Sequence, residues 1–299
     1  MLNNSDDSVN LILDTDIGPD CDDAGALTLL HILTRRKKIN FLAMTNCTSN
    51  PYGAGTVDAI NLYYGRKDIP VGAYENKGFL EDGFSQKYNR FITLNYENRF
   101  RPPVNAPGAL TIIKKALSKA DDNSVNVLAI GPLPNLANLI KDPEGYSLVE
   151  KKVKCLIAMG TSLNQELAEW NIEMDIPSAA LVCDKWPSPI IFSPAETGSA
   201  IITGKNFGTL DKEHPARIAY RLFNDGDEGK GRMSWDLTAA WYAVMGTEPF
   251  FKLSSTYDVD ILEKGKIQVK EDPDGKFQFL ENKMDPEEIA KGIESIWSA

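Results

Sequence analysis

The chain has 299 residues, of which 42% are hydrophobic and 25% charged, with a formal net charge of −10. This is an ordinary composition for a soluble globular fold, and the acidic balance argues against a sequence-independent nucleic-acid binder, which needs a basic surface. No apolar run approaches the roughly 18 residues that span a bilayer, so neither nucleic acid nor membrane is an expected partner, and a small molecule is.

Residues 9–13 are a short continuous apolar run and read as a buried strand, followed by a helix over 23–34. A second strand over 41–45 precedes a helix over 55–64, and 70–73 reads as a short strand. Helical periodicity returns over 109–120, followed by a strand over 125–130, a helix over 133–140, a strand over 153–159, a helix over 176–183 and a strand over 189–192. A later helix carries Trp241 and Tyr242. The strands are continuous Val, Ile and Leu runs, as in a parallel sheet covered on both faces. Their alternation with helices predicts an α/β fold, a single domain over 1–299 with a mainly parallel (mixed) central sheet flanked by helices.

Two stretches break the rhythm. Residues 74–104 are polar and aromatic, with Phe79, Phe84, Tyr88, Phe91 and Tyr96, and residues 223–233 are charged and glycine-rich. Long irregular segments of this kind often serve as lids or binding loops. The four cysteines, Cys21, Cys47, Cys155 and Cys183, lie far apart with no CxxC pair. Free thiols, most of them buried, in a reducing compartment are the simplest reading. The polar, acidic residues 1–10 do not read as an export signal, so the expected location is cytoplasmic, or periplasmic if a signal has been removed.

In open α/β sheets ligands bind beyond the carboxyl ends of the strands, and the chemistry-bearing residues gather there. Asp14, Asp16, Asp20, Asp22 and Asp23 crowd one turn after the first strand. Like charges so close repel unless a cation sits among them or they take up protons. Carboxylate oxygens are ligands of calcium and magnesium, and a bound cation acidifies a coordinated water. An EF-hand loop requires Gly at its sixth position and Glu at its twelfth; counted from Asp14 these are Pro19 and Gly25. A haloacid-dehalogenase-type phosphatase, the alternative enzyme, accommodates Asp14 and Asp16 but meets Gly18 where it has Thr or Val. Favouring the N-terminus of the next helix explains one or two carboxylates, not five.

The order Asp14-Thr15-Asp16-x-Gly18, then Asp22-Asp23-Ala24 and a helix, resembles the signature of the inosine–uridine-preferring nucleoside hydrolases, with Pro19, Asp20 and Cys21 where the common form has one residue. Further blocks follow in family order: residues 45–50, Ile130-Gly131-Pro132-Leu133-Pro134-Asn135, Met159-Gly160, Glu169-Trp170-Asn171, and Trp235-Asp236 where the family usually has His-Asp. The resemblance implies hydrolysis of the N-glycosidic bond of ribonucleosides, dependent on calcium (Ca2+), by a homodimer or homotetramer. It implies that Asp16 is the general base and touches the metal, and that Asp23, Asp236 and the main-chain carbonyl of Ile130 are metal ligands. Asp22, Asn50, Asn164, Glu169 and Asn171 match groups that grip the ribose hydroxyls, and Asp14 holds the loop. A ring of carboxylates and amide oxygens suits the positive charge that develops on the ribose as the bond breaks. Trp235 matches a tryptophan that stacks on the base, which favours purines, and stacking on a base is worth about 1–3 kcal/mol. A second stacking aromatic is expected from residues 74–96, and Tyr220 is a further candidate for the base side. His31 and His214 read as packed or loop residues rather than proton donors. A non-catalytic nucleoside or ribose binder that kept the metal site is the reading from a different class, although it has no use for a general base.

Overall fold

The first strand, β1 (Val9–Thr15), sends alternate side chains into two cores. Leu11 and Leu13 pack with the helices of one sheet face and Ile12 with those of the other. A strand that must be covered on both faces needs a continuous apolar sequence. The computed structural model describes residues 8–35, 39–83, 87–164, 166–207 and 210–297. Within them β2 (Ile39–Asn46) and β3 (Val71–Ala73) lie on one side of β1. On its other side lie β4 (Val125–Ile130), β5 (Val153–Met159) and β6 (Ile190–Ser193), and all six strands are parallel. A two-stranded antiparallel ribbon, β7 (Ile202–Thr203) with β8 (Arg232–Met233), stands apart from the sheet. The last strands are β9 (Phe251–Leu253), β10 (Tyr257–Ile261), β11 (Ile267–Glu271) and β12 (Phe277–Asn282). Strand β12 joins β6 in parallel and carries β9 and β10 antiparallel to itself, with β11 at the edge. The result is a ten-stranded mixed, mainly parallel sheet in the order β11-β10-β12-β6-β5-β4-β1-β2-β3, with β9 also on β12.

One face is covered by α1 (Asp22–Leu33), α2 (Gly53–Tyr63), α10 (Pro215–Phe223), α11 (Trp235–Met245) and α12 (Pro286–Trp297). The other is covered by α4 (Ala109–Leu117), α5 (Pro134–Lys141), α6 (Pro143–Lys152) and α8 (Ile176–Lys185). The short helices α3 (Asn89–Asn95), α7 (Trp170–Met174) and α9 (Ala195–Ser199) lie in the connections. No helix among the described residues is long and apolar enough to cross a membrane. All four cysteines are free, with Cys21, Cys47 and Cys183 buried and Cys155 half-buried.

The strands over 125–130 and 153–159 fall where the sequence puts them, and the other expected elements shift by a few residues at their ends. Helix α3 lies inside the stretch read as irregular, and α6 follows α5 after a single residue, Asp142, whose side chain caps it by accepting the Gly145 N–H at 2.7 Å. The chain runs outward from β1 to β3 and then returns to place β4 on the other side of β1. Loops leaving β1 and β4 therefore diverge, and a crevice opens at their carboxyl ends. There the backbone after β4 presses on the residue after β1: a Cβ on Gly131 would lie 2.8 Å from the Asp16 backbone nitrogen, a contact only glycine allows.

Candidate active site

A cavity of about 440 Å³ fills that crevice. Its wall carries six carboxylates, Asp16, Asp20, Asp22, Asp23, Glu169 and Asp236, together with one guanidinium, Arg232, two indoles, Trp170 and Trp235, and Ile130, Met159 and Asn171 among the remainder.

The carboxylates are brought together by two helix starts. Asp22 and Asp23 occupy the first turn of α1, and Asp236 the first turn of α11. Backbone N–H groups at a helix start lack intrahelical partners and carry partial positive charge, so acids are favoured there. Helix α1 approaches α10 and α11 closely because Gly25 has no side chain; a Cβ there would lie 2.5 Å from the Tyr220 hydroxyl and 3.2 Å from Leu237 Cδ1. The two starts are tied directly, as the Asp236 N–H donates to Asp22 Oδ2 at 3.0 Å. The Thr15 hydroxyl donates to Asp23 Oδ1. Carboxylate oxygens of Asp22, Asp23 and Asp236 lie within 4.8 Å of one another, all buried.

Burial without a counter-charge makes ionisation costly. It pushes Asp22, Asp23 and Asp236 well above the usual carboxylate range, and the neighbouring charges of Asp16 and Asp20, with Asp22 acting on the other two, add to it. Asp16 is pushed up to about 8, first by burial and then by the neighbouring Asp20, Glu169 and Asp14 charges. A divalent cation would relieve all four. Oxygen ligands sit about 2.3–2.6 Å from calcium, so oxygens sharing one ion are at most roughly 5 Å apart, and the donor set fits. The sequence assigned Asp22 to the ribose, whereas the geometry groups it with Asp23 and Asp236 as a third carboxylate able to hold the ion.

The other anticipated residues fall into two groups. Asp16, Ile130, Glu169, Asn171 and Trp235 line the cavity; Asn50 and Asn164 do not. Asn50 Oδ1 instead accepts the Tyr52 N–H at 2.9 Å, shaping the turn before α2. Asn164 Oδ1 accepts the Glu166 N–H at 3.2 Å, and its backbone N–H donates to Glu196. Glu169 caps α7, accepting the N–H groups of Asn171 at 3.0 Å and Ile172 at 3.2 Å, and burial lifts its carboxyl to about 7. Asn171 Nδ2 donates to the Met159 carbonyl at 3.2 Å. Asp14 lies outside the cavity and binds strands to helix, its Oδ1 accepting from Thr45 Oγ1 at 2.6 Å and Asn135 Nδ2 at 2.8 Å.

Trp235 stands at the start of α11 with its Nε1 donating to the Ala195 carbonyl at 3.0 Å. The second aromatic is not the one expected. No described aromatic of residues 74–96 lines the cavity, and Phe84 lies outside the described residues, as do residues 1–7. Trp170 takes that place, because the capped turn of α7 projects from the end of β5. The stretch instead buttresses the aspartate turn: the Tyr88 hydroxyl donates to the Asp20 carbonyl at 2.6 Å and Asn89 Nδ2 to the Ile17 carbonyl at 3.4 Å. Tyr220 is buried beneath the site against Phe207 and Trp297, not on its wall. Neither histidine reaches the cavity. His31 Nε2 bonds Asn61 Oδ1 at 2.8 Å, and His214 Nε2 bonds the Tyr64 hydroxyl at 2.7 Å.

Arg232 escaped the sequence reading. It lies at the end of the charged glycine-rich stretch, held in β8, and pairs with Asp20 across 212 residues of chain, with Nε 2.9 Å from both carboxylate oxygens and Nη2 also on Oδ2. Its only available signal was membership of that stretch, since nothing local to residue 232 points to Asp20.

The comparisons agree with this architecture. The chain belongs to the inosine-uridine preferring nucleoside hydrolase family, which matches residues 11–292. The match makes it an N-ribohydrolase, the enzyme class that the sequence resemblance implied. Among solved structures it is similar to the inosine-uridine preferring nucleoside hydrolase from Bacillus anthracis, with TM-score 0.72 and 14% identity over 97% of this chain and 99% of the other. An inosine-guanosine nucleoside hydrolase gives 0.73 and 18% over 96% and 98%. The purine-preferring ribonucleoside hydrolase from Gardnerella vaginalis gives 0.71 and 16% over 97% and 99%. At these identities the likeness is one of fold. No curated protein sequence matches the chain.

Proposed function

We propose that this N-ribohydrolase depends on calcium and favours purine ribonucleosides. The observation that carries the first half is the set of three buried carboxylates, Asp22, Asp23 and Asp236, at two converging helix starts beside Asp16. Asp23, Asp236 and the Ile130 carbonyl would hold the ion, with Asp16 at its edge, and Asp22 would serve both ion and ribose. When bound, the cation supplies the positive charge that acidifies the attacking water and orients ribose hydroxyls.

Asp16 takes a proton from the attacking water as the C1′–N bond breaks. Asn171 and Glu169 line the same cavity and would grip the ribose hydroxyls, although Glu169 already spends acceptor capacity on capping α7. Asn50 and Asn164, outside the wall, are left out of this set. The carboxylates crowding the cavity favour the cationic character that grows on the sugar. Trp170 and Trp235 flank the same cavity and offer stacking faces, which supports purines as the larger and better-stacking bases.

The test is ribose release from inosine, guanosine, adenosine, uridine and cytidine, with calcium and with a chelator, for the wild type and Asp16→Asn. Calcium-dependent release from purines, lost in Asp16→Asn while calcium still binds, is expected. Undiminished release in the chelator would refute calcium dependence, and release from pyrimidines alone would refute the role of the indoles.

A further inference from the structure

The geometry points to Arg232 as the residue that receives the leaving base, acting as a fixed-charge hydrogen-bond donor rather than as a proton donor. The inference deepens the reading above and rests on it.

A departing base carries away the electron pair of the C1′–N bond and must be protonated or stabilised as an anion. No histidine lines the cavity, and both histidines are engaged elsewhere through Asn61 and Tyr64. The carboxylates on the wall are needed on the sugar side, where positive charge develops. Arg232 is the one cationic side chain among the described residues of the wall.

Its placement is built. Strand β8 is paired to β7 with Arg232 opposite Thr203, so the residue is carried by a ribbon rather than a free loop. Asp20 grips Nε and Nη2, which fixes the plane of the fork. The guanidinium carbon lies 4.9 Å from the ring centroids of both Phe223 and Trp235, within the range of cation–π attraction. Nη1 has no oxygen partner among the described residues and donates one N–H to Met233 Sδ, at 3.7 Å, so that one N–H remains on each of Nη1 and Nη2. Two N–H donors are thus left over on a group fixed beside the indole proposed to stack on the base. Asp20 is the positioning residue, and it belongs to the turn that this chain lengthens, so the added residues bring their own purpose.

A guanidinium does not give up its proton near neutral pH. Water adds its hydroxide to C1′ and its proton goes to Asp16. The C1′–N electron pair leaves with the base, whose developing negative charge accepts a hydrogen bond from the remaining Nη1 N–H. The anion then takes a proton from solvent, and Asp16 returns its own. This arrangement selects bases that spread negative charge onto a ring nitrogen or carbonyl oxygen able to accept from an arginine, as hypoxanthine and guanine do.

The experiment compares inosine with 4-nitrophenyl β-D-ribofuranoside, whose 4-nitrophenolate departs without assistance, for the wild type, Arg232→Gln and Arg232→Lys at saturating calcium. Loss of one preorganised donor costs on the order of 10²-fold in kcat. Arg232→Gln is expected to fall on both substrates but at least tenfold further on inosine, with Arg232→Lys recovering part of the difference. Equal losses on the two substrates would overturn the inference, because an arginine that merely holds the aspartate turn cannot tell one leaving group from another. If Arg232→Gln does not fold, Arg232→Lys keeps the cation, and its unchanged inosine-to-nitrophenyl ratio alone would overturn it. Wild-type protein inactive on both ribosides would remove the nucleoside reading itself and the inference with it. Wild-type activity on inosine with no split in the variants removes only the inference.

Discussion

Gly131→Ala tests whether the crevice fixes the position of Asp16. The added Cβ would stand 2.8 Å from the Asp16 backbone nitrogen and Oδ1 and 2.9 Å from its Cβ. Ordinary contact begins at 3.4 Å, so Asp16 must retreat by 3.4 − 2.8 = 0.6 Å. Two of the three nearest atoms are Asp16 backbone N and Cβ, so rotating a side chain does not remove the clash. The registered pair Thr15–Ile130 immediately before it keeps the two strands from sliding apart. A displacement of about 1 Å at a reacting group costs on the order of 10²-fold, so roughly half that distance should cost about tenfold in kcat. Overpacking of this kind removes about 1–3 kcal/mol of stability. The assay is kcat for ribose release at saturating substrate and calcium, beside urea unfolding of the same preparations. Gly83→Ala, whose Cβ meets nothing within 4 Å, is the control and should match the wild type. A Gly131→Ala protein with kcat within twofold of wild type would refute the reasoning. So would a loss no greater than its unfolded fraction.

Two further predictions concern stability. Burial lowers His31 from 6.5 to about 4, so the unfolded chain binds a proton where the folded one does not. Its contribution is complete above pH 6.5 and is lost as pH falls towards 4, by roughly 3 kcal/mol in all. Urea unfolding of wild type and His31→Gln between pH 7 and 4 should show free energies that converge as pH falls, and parallel curves would contradict the assignment. Arg99→Ala strands the fully buried Asp58 carboxylate, which now takes the Arg99 backbone N–H at 2.7 Å and its Nη2 at 2.5 Å. A loss of about 3–5 kcal/mol is expected on urea unfolding, partly restored in the Arg99→Ala/Asp58→Asn double variant; no recovery would point to lost packing instead.

The parallel half of the sheet was legible because a strand buried on both faces has no choice but a continuous apolar run, as in Val125–Ile130 and Val153–Met159. The antiparallel half was not. Strands such as β11, Ile267–Glu271, sit at a sheet edge with most side chains exposed and alternate Ile267 and Val269 with Gln268 and Lys270, a period-two pattern so short that it does not stand out beside the continuous apolar runs. Within the site, Asp16, Asp22 and Asp23 could be read because their charge crowding is local to one turn, whereas Asp236 stands alone in the sequence and was reached only through the resemblance of Trp235-Asp236 to the family's His-Asp. The Asp20–Arg232 pair could not, since its two halves meet only through the tertiary fold. Trp170 was quoted in the sequence and passed over, because the search for a second indole went to the longest aromatic stretch. That stretch spends Tyr88 and Asn89 on bracing the aspartate turn from behind.

The bond from the Asp236 N–H to Asp22 spans 214 residues, and it gives the order of assembly a direction. On the ribosome the aspartate turn is made early, and the residues that close over it, Arg232 and the start of α11, come near the end. Until then its carboxylates have no reason to leave water. Affinity for the proposed cation would therefore be a property of the finished chain, and a fragment ending before Arg232 should bind calcium no better than an unfolded acidic peptide. With the proposed cation as probe, the appearance of tight binding during refolding would mark the moment at which the aspartate turn and the start of α11 have found each other.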